Sequence, residues 1–344
     1  MKLLFIGGYG NISWHCTKQA LELGHEVWIL NRGMTHNSRR KPPRGVLEII
    51  ADIRDENAVS TALKGMEFDV VADFICYNAQ HALTDVELFK NIAKQFIFIS
   101  STANYQKPHS QLPYKEDTPL TNCGWDYSKN KIECEKVFLD AFKTQNFPVT
   151  IVRPGHTYDT LIPEAVGNGD WTVANRILEN KPIVVHGDGS TLWTLTHAED
   201  FARAFVCLLG NTKTIGEAYH ITSDEWLTWR EITQYLASAL GVEKPKVVYI
   251  PSEIIAQNNP ALGIGLLGHK TWCDIYDNSK IKSIATGWKA EIKFKNGIIN
   301  TINWLKEDSR RQRVNPALDS FIDELVGEYN KEFSFSKVLK WLKK

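Results

Sequence analysis

The chain has 344 residues, 40 Lys plus Arg against 40 Asp plus Glu and therefore no net charge, with 43% hydrophobic and 23% charged residues. That balance supplies no global field to draw the protein to nucleic acid or an anionic membrane, and no apolar run approaches the ~20 residues that span a bilayer. The N-terminus enters a strand rather than a signal peptide, so a cytoplasmic protein with material for one large or two modest domains is expected.

The six cysteines, Cys16, Cys76, Cys123, Cys134, Cys207 and Cys273, stand singly. Their scatter points to reduced, mostly buried thiols and to neither a disulfide framework nor a zinc site. The histidines give no metal pattern either. Trp171, Trp193, Trp226 and Trp229 fall mid-chain, as core residues or as aromatic walls of a pocket.

In chain order, Leu3 to Ile6 is a short apolar run suited to a strand buried on both faces. It opens into Gly7-Gly8-Tyr9-Gly10-Asn11-Ile12-Ser13 and then a helix on which Ile12, Cys16, Ala20 and Leu23 recur, ended by Gly24. Strand, glycine turn and helix N-terminus together let backbone N–H groups and the helix dipole hold a dinucleotide pyrophosphate. A second strand, His25 to Leu30, ends at Asn31-Arg32-Gly33, where the adenosine ribose is expected. A basic turn-rich stretch from Arg39 to Gly45 precedes a third strand, Val46 to Ile50, which ends at Ala51-Asp52-Ile53. A helix over Asn57 to Leu63, a strand over Phe68 to Ile75, a helix over Asp85 to Ala93 and a strand over Gln95 to Ser101 follow. This alternation predicts an α/β fold with a doubly wound parallel sheet, its ligands beyond the strand ends carrying Gly7, Arg32, Asp52, Ile75 and Ser101.

Tyr127-Ser128-Lys129-Asn130-Lys131 opens the next helix. The i, i+4 spacing puts Tyr127 and Lys131 on one face, where a cation beside the phenol favours the phenolate and makes the hydroxyl a usable proton donor and acceptor.

Gly-Gly-x-Gly-x-Ile after the first strand, Asp52 after the third, Ser100-Ser101 with Tyr105 after the fifth, and Tyr-x-x-x-Lys resemble the extended short-chain dehydrogenase/reductases in their NAD-dependent epimerase/dehydratase branch. The resemblance runs on through Val152-Arg153-Pro154, Tyr158, Gly187-Asp188-Gly189, His197 to Asp200, Asp277 to Lys280 and Gly287-Trp288. It implies that Gly7, Gly10, Asn11 and Ile12 hold the pyrophosphate, that Asn31 and Arg32 meet the ribose, and that Asp52 and Ile53 frame the adenine. Phe74 and Ile75 would pass beside the cofactor. Tyr127 would be the acid/base, Lys131 would hold the nicotinamide ribose and tune Tyr127, and Ser101 would steady the reacting oxygen. Tyr77, Thr102, His156 and Trp193 are the expected substrate contacts.

Four departures from the pattern carry information. Ser13 replaces the third glycine, which suggests looser helix-to-sheet packing. Asn31-Arg32 replaces the usual acidic residue and can pair with a 2′-phosphate, so NADP is favoured over NAD. Thr102-Ala103 stands where sugar dehydratases place an Asp-Glu pair, which weakens a 4,6-dehydratase reading. Trp193 stands where an arginine binds a nucleotide diphosphate, so a sugar stacked on Trp193 and lacking that group is expected.

The predicted architecture is a Rossmann domain of residues 1–160 and 192–225, with a smaller, interleaved α/β substrate domain of 161–191 and 226–344. Thr228-Trp229-Arg230-Glu231 is a capping box within the latter, and the tail from Arg310 is charged and helical. The expected activity is that of an NAD(P)-dependent oxidoreductase or epimerase on a sugar-like substrate, nucleotide sugars being the alternative. An epimerase and a reductase would share every residue named. A silent dinucleotide-sensing or RNA-binding relative is the rival class, although no nucleic-acid, membrane or metal partner is expected. A homodimer through the helices after the fourth and fifth strands follows from the resemblance alone.

Overall fold

The computed structural model describes residues 1–33, 40–122 and 124–332. Arg39, Cys123 and the end of the charged tail lie outside them. The chain divides into two compact units, the first made of Met1–Asp159, Thr194–Glu225 and Ile275–Ile292, the second of Thr160–Trp193, Trp226–Asp274 and the residues from Lys293 onward.

The first unit begins with β1 (Lys2–Ile6), α1 (Ser13–Glu22), β2 (Glu26–Asn31), β3 (Leu47–Ile50), α2 (Glu56–Ala62) and β4 (Val70–Asp73). It continues with α3 (Ala79–Phe89), β5 (Phe96–Ile99), α4 (Asp126–Gln145), β6 (Val149–Pro154) and β7 (His156–Tyr158). After α5 (Thr172–Leu178) and β8 (Ile183–His186) of the second unit, β9 (Leu192–His197) leads back to α6 (Ala198–Phe205) and β10 (Ala218–Ile221) of the first. The second unit resumes with β11 (Trp226–Thr228), α7 (Trp229–Ala239), β12 (Val247–Ile250), α8 (Ser252–Asn258) and α9 (Pro260–Gly265). The first unit then adds α10 (Ser279–Ile284), and the second ends with α11 (Phe294–Lys306) and α12 (Pro316–Glu332).

Seven strands form one sheet in the order β10-β6-β5-β4-β1-β2-β3, and every pairing is parallel. The order reverses between β1 and β4, which places a crevice at their C-terminal ends. β4, β5 and β6 are buried along their whole length, the mark of strands covered on both faces by crossover helices. One face packs Leu4, Ile6, Val71, Phe98 and Phe138 into a core, and the other packs Leu3, Phe5, Ile97, Phe201 and Phe205. Ile281 of α10 joins the second of these cores. Residues 275–292, expected in the substrate domain, therefore pack with the dinucleotide-fold unit.

At the N-terminal edge of the sheet the buried Gln95 amide donates to Thr150 Oγ1 at 3.0 Å, Leu208 O at 3.1 Å and Thr214 Oγ1 at 3.0 Å. Its carbonyl accepts the Gly210 N–H at 2.8 Å. α3 starts at Ala79 rather than near Asp85 because the Asn78 side chain accepts the His81 N–H at 3.0 Å and caps it.

In the second unit β8 and β12 pair in parallel, over a core of Val166, Val184, Ile250, Ile255, Leu318 and Ile322. Arg176 on α5, fully buried, holds α12 through Asp319 at 2.6 Å and Asp323 at 2.5 Å. α7 begins at the capping box read from Thr228 and Glu231.

Candidate active site

The glycine turn after β1 is shaped by three separate constraints. Gly7 has φ +75°, and a Cβ there would lie 2.7 Å from Ile75 Cγ2. A Cβ on Gly8 would lie 2.3 Å from Ile29 Cδ1, so this position lets α1 sit against β2. Ser13 Oγ donates to Gly7 O at 2.7 Å and accepts the Gly10 N–H at 2.8 Å. The residue expected to loosen the packing instead latches the turn, because its hydroxyl is short enough to bridge both ends. Asn11 Nδ2 donates to Thr157 O at 3.1 Å, and Ile12 precedes α1 without a side-chain cap. A turn that admits no side chain, followed by uncapped helix N–H groups, fits a phosphate group.

At the end of β2 Asn31 has both halves of its amide engaged. Its Oδ1 accepts the Gly33 N–H at 2.6 Å, and its Nδ2 donates to Glu48 Oε1 at 3.2 Å. The same Glu48 oxygen accepts from Tyr9 Oη at 2.8 Å. Arg32 is exposed. Asp52 Oδ1 accepts the Arg54 N–H at 3.0 Å, while Ile53 is buried. Glu48 was missed in the sequence because its place beside Asn31 comes from the register of β3 on β2, in which Ile29 faces Glu48. Strand alternation, with Glu48 flanked by apolar neighbours, was the available signal.

Beyond β4 and β5, Lys131 is buried and donates to Cys76 O and Ile99 O, both at 2.7 Å. Its ammonium stands 5.0 Å from the Tyr77 ring centroid. Burial lowers its pKa, and nearby Cys76, Cys134 and Asp73 act in the opposite direction. Asp73 and Asp85 are also fully buried, and both carboxyls are raised, chiefly by burial. The two carboxyls stand close enough to act on each other, and Asp85 is pushed up the further of the two. Together with Cys76 they form a group whose ligand atoms lie within 4.8 Å of one another, which the sequence analysis did not foresee. Ile75 is fixed from both sides, its N–H by Asp73 at 2.5 Å and its carbonyl by Arg54 at 2.5 Å. Phe74 packs edge-on against Phe5.

Lys131 is buried on α4 whereas Tyr127, one turn earlier, is 37% exposed, and Ser101 is the polar side chain beside its phenol. Burial raises the Tyr127 pKa, the Ser101 hydrogen bond lowers it and the nearby Tyr77 raises it. The phenol is therefore neutral near pH 7, the form that donates a proton. Ser101 Oγ also accepts the Ala103 N–H at 3.1 Å. Ser101 is held from below through its neighbour Ser100, whose Oγ donates to Glu135 Oε1 at 2.5 Å. Glu135 in turn pairs with Arg153 at 3.0 and 2.6 Å.

The four expected substrate contacts separate. Tyr77 is 49% exposed beside Lys131, and His156 is half-buried on β7. Thr102 is buried and its Oγ1 accepts from Tyr276 Oη at 2.8 Å, so its hydroxyl braces the fold. Trp193 belongs to the core of the second unit, 1% exposed, with ring centroids 5.1 Å from Trp229 and 4.7 Å from His269. It presents no open face on which a sugar can stack. Of the mid-chain tryptophans, Trp226 is the exposed one.

The profile of the NAD dependent epimerase/dehydratase family matches residues 3–222. The chain belongs to this family. Within the wider set of epimerase/dehydratase relatives, it is 26% identical over 318 residues to the chloroplast stem-loop binding protein of 41 kDa b of Arabidopsis thaliana, covering 88% of this chain and 78% of that one. It is 26% identical over 264 residues to the 2′-dehydrokanamycin reductase of Streptomyces kanamyceticus, covering 75% of this chain and 71% of the relative. Among solved structures, the UDP-glucose 4-epimerase of Bifidobacterium longum in complex with NAD+ and UDP superposes with a TM-score of 0.70 at 19% identity, over 90% of this chain and 99% of that one. That last likeness is one of fold. No described helix is long and apolar enough to cross a membrane.

Proposed function

We propose that this epimerase/dehydratase-family chain is an NAD(P)-dependent oxidoreductase or epimerase that exchanges hydride with a carbinol or keto carbon of a sugar-like substrate. The observation that carries the reading is the buried Lys131 ammonium, held by Cys76 O and Ile99 O at 2.7 Å one helical turn from Tyr127, whose neutral phenol has Ser101 beside it. The turn at Gly7 to Gly10 and the uncapped start of α1 would hold the dinucleotide phosphates, and Lys131 would hold a ribose. When bound, the nicotinamide supplies a carrier that takes hydride from, or returns it to, the substrate carbon.

Tyr127 moves the substrate hydroxyl proton. In the reducing direction its phenol donates to the new alkoxide and is left as phenolate, and in the oxidising direction the phenolate receives the hydroxyl proton. Ser101, beside Tyr127, orients the same oxygen and steadies its charge. Lys131 is fixed by two backbone carbonyls, one in the loop after β4 and one at the end of β5, so its charge remains at the crevice without a mobile side chain. The buried Asp73 carboxyl lies close enough to act on that charge.

Tyr127→Phe keeps the ring and removes the proton path. Turnover is expected to fall by about 100-fold or more with dinucleotide affinity little changed, and near-normal turnover would refute the assignment. An epimerase should purify with its dinucleotide and show no net redox change, whereas a reductase should oxidise added reduced cofactor. The match to the 2′-dehydrokanamycin reductase supports a sugar-derived ketone as substrate, and the nucleotide-sugar alternative rests on the epimerase relatives. Size-exclusion mass measurement tests the homodimer through α3 and α4.

A second reading is RNA binding, favoured by the similarity to a protein named for binding stem-loops. Zero net charge counts against it. A filter-binding titration with a stem-loop RNA separates the two, since retention at low micromolar protein would favour the RNA reading.

A further inference from the structure

The rim of the crevice beside β2 carries a carboxylate that comes from another strand. Asn31 occupies the place at the end of β2 where an acidic residue ordinarily accepts a hydrogen bond from the adenosine ribose. It cannot take that role unaided, because its Oδ1 is already bonded to the Gly33 N–H at 2.6 Å and its Nδ2 points to Glu48. The Tyr9 hydroxyl fixes the same Glu48 oxygen at 2.8 Å. Two donors from two elements, the glycine turn and β2, thus converge on one carboxylate oxygen. Oε2 takes no part in either contact. Burial and the Glu48 carboxylate both hold the Tyr9 phenol well above its ordinary pKa, so it stays a donor.

We infer that Glu48 is the specificity-determining residue for the dinucleotide, its carboxylate reading the free ribose hydroxyls and turning away a 2′-phosphate. This rests on the proposed reading that the Gly7–Gly10 turn holds a dinucleotide. Asn31 and Tyr9 are positioning residues that aim the carboxylate. A 2′-phosphate brings about two negative charges to the same rim, and like charges a few ångströms apart repel more strongly at a protein surface than in bulk water. Arg32 is the adjacent cation that would favour the phosphate; both side chains are exposed, but the carboxylate is held by Tyr9 and Asn31. The preference read from Asn31 and Arg32 in the sequence is thereby reversed in favour of NAD.

The test is calorimetric titration of the purified full-length protein with NAD and with NADP, together with the mass of any nucleotide released on denaturation. Wild type should bind NAD at least about tenfold tighter than NADP, and the preference should shrink as salt rises. Glu48→Gln keeps an acceptor for Tyr9 and removes the charge. It should bring the two affinities within about threefold of each other, mostly by improving NADP. Tyr9→Phe, which frees the carboxylate to swing away, should give part of the same change. Glu48 is exposed, so neither the fold nor the thermal midpoint should move. A wild-type preference for NADP, or a ratio untouched by Glu48→Gln, overturns the inference. Failure to bind or release either dinucleotide would overturn the proposed function itself, and this assignment with it.

Discussion

Ser13 shows how one side chain can take over a task usually left to backbone. With a glycine there, the turn and α1 would simply approach each other, but the serine hydroxyl closes the turn by bonding both Gly7 O and Gly10 N. Ser13→Ala removes both bonds from a buried position and should cost about 1–3 kcal/mol, read as a lower urea midpoint with weakened dinucleotide binding. Unchanged stability and affinity would mean that the turn holds its shape without the hydroxyl. Glu48 teaches the complementary lesson. Its alternation with apolar neighbours marks it only as a strand residue, because its position follows from which residue of β2 it lies beside.

On α4, Tyr127, Lys131 and Glu135 repeat every four residues and therefore share one face, Lys131 and Glu135 buried and Tyr127 at its open end. The first lies beside Ser101, the second ties the loop after β4 to β5 through Cys76 O and Ile99 O, and the third pairs with Arg153. The spacing of Tyr127 and Lys131 was legible in the sequence. What Lys131 bonds was not, since two segments far apart in the chain supply its acceptors. Glu135→Gln would leave the buried Arg153 guanidinium without its counter-charge, at a cost of about 3–5 kcal/mol. Urea unfolding should register it, and a loss under 1 kcal/mol would show that Glu116 O and Tyr105 suffice for Arg153.

At the scale of the whole molecule, each compact unit buries a neutral histidine. His220 in the first and His186 in the second are both pushed down to about 4, mainly by burial. An unfolded histidine titrates near 6.5, so between these values the unfolded chain binds the extra proton. The stability present above pH 6.5 is lost as pH falls toward 4, by up to about 3 kcal/mol per group. Glu164 in the second unit works the other way. Burial raises it to about 8, so the native state binds the proton and stability declines as pH rises from the ordinary carboxylate range to 8. His220→Gln should therefore narrow its stability gap to wild type between pH 7 and pH 4.5, measured by urea unfolding at both. A gap that stays constant would show that His220 titrates normally in the fold.

The doubly wound parallel sheet and the glycine turn followed from hydrophobic runs and their spacing. The allegiance of residues 275–292 and the burial of Trp193 did not, because the first depends on the core around Phe201 and Phe205 that Ile281 joins, and the second on Trp229 and His269, none of which a local pattern announces. Gln95 lies at the opposite end of the strands from Ser101 and stitches four segments together there. The sheet is consequently pinned at its base, where no chemistry is proposed. Selection can redraw the rim, exchanging Asp-Glu for Thr102-Ala103 or moving a carboxylate from one strand to the next, while leaving the foundation that keeps the strands in register untouched.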